Sequence, residues 1–193
     1  VKRAAILAVL ALAACGRQDN APLQAQRISL EKSGAPTEEP LASPDTDNSR
    51  WRVADDGRAI HFGAPDGDPM LTLACRLKET PPQLVIIRHI AAQPGQKALM
   101  PVIGNGMISR FKVDASLNEG EWRWEGSFPA TDPDLDVFTG RRDLEATLPG
   151  GGSLYIGGSP LPGEFVTWCR MGGRVLALEE KEAEKDASET PDP

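Results

Sequence analysis

From Trp51 to Ile156 the apolar residues fall in short runs, several alternating strictly with polar ones, and turn-forming Gly, Pro, Asp and Asn separate them. That pattern constrains the fold most. A period of two sends successive side chains to opposite faces of a strand, whereas an amphipathic helix repeats every three to four residues. Ile108-Ser109-Arg110-Phe111-Lys112-Val113 alternates cleanly, with Ile108, Arg110 and Lys112 opposite Ser109, Phe111 and Val113. Glu121 to Glu125 does the same and puts Trp122 and Trp124 on one face. Trp51 to Val53 and Ala59 to Phe62 flank Asp55-Asp56-Gly57, a hairpin signal. Met70 to Leu77 alternates loosely. After Pro81-Pro82, Leu84 to Ile87 is apolar throughout, as a central strand is, and Arg88 closes the run. Ala98 to Ile103 is a weaker strand, and Asp143 to Leu148 with Ser153 to Ile156 forms a hairpin around Pro149 to Gly152.

Two segments break the alternation. Thr131-Asp132-Pro133-Asp134 supplies a cap, Pro at the first helical position and acids in the first turn. Leu135, Val137 and Phe138 give that helix an apolar side before Gly140 ends it. After Ser159-Pro160, the residues Phe165, Val166, Trp168 and Cys169 fit one side of a short helix stopped by Gly172-Gly173; a final strand is the alternative for Phe165 to Arg170. The expected fold is therefore α+β, mainly antiparallel β, sandwich- or barrel-like, with one or two short helices. It occupies a single domain over 49–174, a normal domain size.

Lys2 and Arg3 precede an uninterrupted apolar run from Ala4 to Ala14. A positive start and a short apolar stretch are the layout of a secretory signal peptide, and a spanning helix needs about 17–25 residues. The run ends Leu12-Ala13-Ala14-Cys15-Gly16, which resembles the lipobox of bacterial lipoproteins. That resemblance implies cleavage after residue 14, a diacylglyceryl group on the Cys15 thiol and an acylated new amino group. Two or more chains hold far better than one, at about 0.8 kcal/mol per buried CH₂. Gly16, where an aspartate would retain the protein on the inner membrane, implies the outer membrane facing the periplasm.

With Cys15 carrying lipid, Cys75 and Cys169 are left as a pair in an exported, oxidising compartment, and a disulfide is expected. Residues 15–48 form the lipidated N-terminus and a disordered tether, rich in Pro, Ser, Thr, Asp, Glu and Gln with no apolar period. A coil of that length spans roughly 30 Å. Residues 175–193 are expected to be an acidic, disordered tail.

The chain holds 21 basic and 28 acidic residues, a net charge of −7; loss of Lys2 and Arg3 leaves 19 against 28, or −9. That balance argues against nucleic acid and against polybasic adhesion to anionic lipid. Membrane contact is assigned to the lipid on Cys15.

The order of features in the domain is similar to that of a group of bacterial lipoproteins and periplasmic proteins with no assigned activity. The shared course is Trp51, then Cys75-Arg76, then Asp132, Pro133, Leu135, Gly140 and Arg141, a hairpin, and a closing helix ending in Cys169-Arg170. The resemblance implies the same fold and supports the disulfide, and it carries no activity. Pro162-Gly163 and the three consecutive glycines at 150–152 depart from the pattern.

No residues here demand a catalytic role. Asp132, Asp134, Asp136 and Asp143 have the spacing of the first, third, fifth and twelfth positions of a calcium loop. Val137 stands where glycine is needed, however, and Pro133 starts a helix. His61 and His89 are the only imidazoles; with both remaining cysteines paired, no zinc set is evident. Gly151 to Tyr155 lacks the second glycine of a nucleophile elbow. Gly104-Asn105-Gly106 is a turn, not a phosphate cradle. No metal or cofactor is expected. Trp122 and Trp124, with Arg110 and Arg123, are the candidate partner-contact residues, although at least one indole is expected in the core.

The leading expectation is thus a non-enzymatic envelope module with a protein or glycan partner. A different class is an inhibitor of an exogenous hydrolase such as lysozyme, to which an acidic protein would suit; the Ser-Gly-x-x-Tyr loop of such inhibitors is not matched by Gly152-Ser153-Leu154-Tyr155. An envelope hydrolase using His61 or His89 is the third.

Overall fold

The computed structural model describes residues 40–118 and 120–174. The expected signal peptide, Cys15, residues 16–39 of the expected tether and the acidic tail at 175–193 lie outside the described residues. Nine strands form one antiparallel sheet. In chain order they are β1 Arg50–Val53, β2 Ala59–Gly63, β3 Leu71–Arg76, β4 Gln83–Arg88, β5 Lys97–Gly104, β6 Met107–Asn118, β7 Glu121–Pro129, β8 Leu144–Leu148 and β9 Gly152–Ile156. A 3-10 helix, Pro133–Phe138, separates β7 from β8, and α1, Leu161–Arg170, follows β9. Across the sheet the order is β1-β2-β3-β4-β7-β6-β5-β8-β9.

The alternation read from the sequence maps onto two faces. Ile60, Phe62, Leu71, Leu73, Leu84, Ile86, Met100, Val102, Phe111, Val113, Ala146 and Leu154 are all buried in one core. Their neighbours Arg52, Ile103, Ile108, Arg110, Lys112 and Tyr155 alternate with them on the other face. The sheet curls around that core: Gly151, in the β8–β9 turn, comes so close to Ile90 beyond β4 that an added Cβ would lie 3.1 Å from the Ile90 side chain. β5 is longer than its weak signal suggests. It contains Pro101, and β8 pairs with it only from Val102 onward, so Pro101 has a ladder partner on one side alone.

One end of the core is covered by the two helices. Asp132 caps the first, its carboxylate accepting from the Asp134 N–H, with Pro133 at the first position as expected. It is a 3-10 helix, and Ser109 Oγ and Asn105 Nδ2 donate to its Asp134 and Val137 carbonyls from outside. The closing segment is the helix α1, not a strand. Pro162 sits in its first turn, where no intrahelical donor is required. Gly163 fits because α1 crosses the Thr139 backbone closely; a Cβ there would lie 3.0 Å from Thr139 Cα. Three of the four aspartates have separate structural partners rather than a common centre: Asp132 caps the helix, Asp136 pairs with Arg170 at 2.7 Å, and Asp143 accepts from the Gly158 N–H at 2.8 Å.

Cys75 of β3 and Cys169 of α1 form a disulfide, with Cα atoms 5.8 Å apart and a sequence separation of 94. At the opposite end of the core, Leu41 N–H donates to Gly150 O at 2.9 Å and Ser153 N–H to Ser43 Oγ at 3.1 Å. The last residues of the expected tether are thus tied to the β8–β9 turn.

Candidate binding cleft

The chain leaves β4 at Arg88 and must pass the places of β7 and β6 before it can enter β5. This crossing segment runs past the ends of both, with Ala92 N–H donating to Trp122 O at 3.0 Å and Ala115 N–H to Gln96 O at 2.9 Å. Between the crossing and β7 lies a cleft of about 710 Å³ whose walls include Asp68, His89, Gln93, Glu121, Trp122 and Arg123.

Cross-strand register places the polar side chains of this wall. His61 opposes Thr72, and Thr72 opposes Ile87, two residues before His89. All three polar residues therefore project from the outer face. Thr72 Oγ1 lies 2.8 Å from His61 Nδ1 and 2.7 Å from His89 Nε2. Arg123 Nη1 stands 3.2 Å from His89 Nδ1, and its Nη2 pairs with Glu121 at 2.7 Å. A guanidinium has no acceptor, which fixes the direction of the whole row. Arg123 donates to His89 Nδ1, so the neutral His89 carries its proton on Nε2 and donates to Thr72. The Thr72 hydroxyl then donates to His61 Nδ1, and the His61 proton is left on Nε2.

The electrostatics agree with this assignment. Burial pushes the His89 imidazole down to about 4, helped by Arg123, His61 and Arg88 and opposed by Asp68. His61 is also lowered, by burial first and then by Arg52. Both rings are neutral at pH 7. Both nitrogens of His89 are occupied, and neither imidazole bonds a carboxylate among the described residues. Beyond Arg123 the row is thus polar and uncharged, without the acid-oriented base of a nucleophilic triad.

The four expected partner-contact residues are not brought together. Trp122 and Arg123 share the cleft. Trp124 is buried on the inner face, opposite Arg88 in β4. Arg110 is exposed on β6 opposite Pro101, six positions from Ser116, the partner of Arg123; that is about 20 Å along the strand. The sequence reading missed the Thr72 bridge and the role of Arg88. Arg88 ends an apolar run, yet it shares parity with Leu84 and Ile86, and that parity puts it on the core side.

Another cleft, of about 550 Å³, lies between the end of the 3-10 helix and α1 beside Glu164 and Trp168. Among the described residues no group of three or more His, Cys, Asp or Glu is placed to hold a metal. No described helix is long and apolar enough to cross a membrane. No protein-family model, curated protein or solved structure gives a significant match to the chain.

Proposed function

We propose that this chain is a lipoprotein of the cell envelope, anchored by lipid on Cys15, whose β domain is a non-enzymatic module binding a protein or glycan partner. The observation that carries the binding half is the cleft beside β7. A half-buried indole, a guanidinium paired to a carboxylate and a neutral histidine wall one concave surface, a combination that suits stacking and directional hydrogen bonds. The anchored half rests on the lipobox and on a disulfide, which belongs to oxidising compartments.

The test is retrieval of partners from solubilised envelopes by the full chain, the Cys15→Ser form and a Trp122→Ala/Arg123→Ala double variant. The wild type is expected to incorporate palmitate label, to sediment with membranes and to enrich a partner that the double variant loses. Sedimentation of Cys15→Ser with membranes would sink the anchor. Equal recovery of the same partners by the double variant would remove the cleft from the reading. Loss of a hydrolytic activity on changing His61 to Ala would favour an enzyme instead.

A further inference from the structure

Arg88 is 2% exposed, yet no carboxylate of the described residues pairs with it. Its one hydrogen bond runs from Nη1 to Met70 O at 2.8 Å. Nε is buried with no acceptor, and among the described residues the side chain's hydrogen bond is made by Nη1, not by Nη2. Desolvation lowers the group only to about 10, so the side chain stays cationic at neutral pH. A buried charge without a counter-charge is costly, and proteins avoid it unless something supplies the partner.

The free donors are the two that matter. With Nη1 turned to Met70, the Nε and Nη2 hydrogens point the same way along one side of the planar fork. That edge matches the two oxygens of a carboxylate in a bidentate pair. Arg88 lines a second cleft, of about 260 Å³, which shares His89 and Ile90 with the first. Leu41, Pro44, Met70 and Ile90 make the other walls mainly apolar, and the Leu41–Gly150 and Ser43–Ser153 hydrogen bonds hold its outer wall in place. The space is smaller than the roughly 300–1,000 Å³ of drug-sized sites, which limits the ligand to a small molecule.

We infer that this cleft binds a small monocarboxylate with an apolar body, its carboxylate against the Arg88 guanidinium and its hydrocarbon against Leu41, Pro44 and Ile90. Apolar walls disfavour a bare, strongly hydrated anion such as phosphate, and a single cation disfavours a dicarboxylate. The inference is independent of the anchor and of the Trp122 cleft.

The experiment titrates the purified full chain in detergent with straight-chain C4 to C8 monocarboxylates, with hexanamide and with inorganic phosphate. Calorimetry and the Arg88 Nε–H resonance are the readouts. At least one carboxylate should bind saturably and shift that resonance, with hexanamide and phosphate weaker by about tenfold or more. Arg88→Lys, which keeps the charge but loses the fork, should weaken the carboxylate by a similar factor. No saturable binding by any of the acids overturns the inference. So does hexanamide binding as tightly as hexanoate, or phosphate doing so. The wild-type comparison of acid with amide stands even where an Arg88 variant fails to fold.

Discussion

Arg170 and Arg88 lie at opposite ends of the same core and are treated in opposite ways. Arg170 closes α1. Its Nε donates to Ala130 O at 2.7 Å, its Nη2 to Asp132 O at 3.3 Å, and it pairs with Asp136 at 2.7 Å. Arg88, more deeply buried, has a single backbone carbonyl. Around Arg170 are a disulfide and two helices; around Arg88 are a cleft and a strap of extended chain. A charge whose donors are satisfied by its own fold reads as structure. One left with a free bidentate edge reads as a site awaiting something else.

The largest test of that contrast is the disulfide. A link that closes about 95 residues is worth roughly 4–5 kcal/mol in the chain-entropy model, and native bridges typically cost 2–5 kcal/mol to remove. Cys75→Ala/Cys169→Ala should lower the urea-derived unfolding free energy by about 2–5 kcal/mol. Hydrogen exchange should show where that stability resided: α1 amides lose protection early, whereas those of β3, β4 and β7 keep theirs. Uniform loss across the sheet would mean that the two ends are one unit, and the distinction between them would fail.

The arginines themselves test it more directly. Arg170→Met leaves the carbonyls of Ala130 and Asp132 and the Asp136 carboxylate without their donor, at about 1–3 kcal/mol. Arg88→Met removes an uncompensated charge, and Met70 O keeps the His89 N–H at 3.0 Å. Its stability should therefore be within about 1 kcal/mol of wild type, or higher. Chemical denaturation of both variants checks the pair. If Arg88→Met is destabilised as much as Arg170→Met, Arg88 is structural and the comparison collapses.

The sheet was legible because alternation is a local signal. Phe111 and Val113 face in, and Arg110 and Lys112 face out, whatever the neighbouring strands do. The cysteine pairing was legible by elimination, since the lipid expected on Cys15 left two. α1 stayed ambiguous against a strand because Pro162-Gly163 looks like a turn; only the close passage over Thr139 explains the glycine. The sites were less legible because they depend on register. His61 meets Thr72 through a connection over 64–70 whose geometry no motif announces, and His89 joins them from a third segment. Register also separates Arg110 from the Trp124 and Arg123 with which it was grouped as a contact for a stacked or anionic ligand: Arg110 and Arg123 lie far apart along the β6–β7 pair. The parity of Arg88 was present in the sequence, masked by reading Leu84 to Ile87 as apolar throughout.

The smallest effect concerns the boundary of the open end, at His89. In the unfolded chain its imidazole takes up a proton near its ordinary value of 6.5, whereas in the folded chain it does so only near 4. Between those values the unfolded state holds the extra proton, so falling pH favours unfolding. The contribution of the neutral ring is full above about pH 6.5, declines as the pH falls, and levels off below about 4. For a half-buried group, solvent screening reduces this to about 1–2 kcal/mol. His89→Gln offers an acceptor to Arg123 and a donor to Thr72 but no proton to gain. Carboxylates titrate over the lower part of the same range in both proteins, so the informative quantity is the difference between their unfolding free energies from pH 7 to pH 4.5. The wild type should lose about 1–2 kcal/mol more than the variant. Parallel profiles would show that His89 is solvated and titrates freely. The Arg123–His89–Thr72 row would then not be a rigid wall of the cleft beside β7.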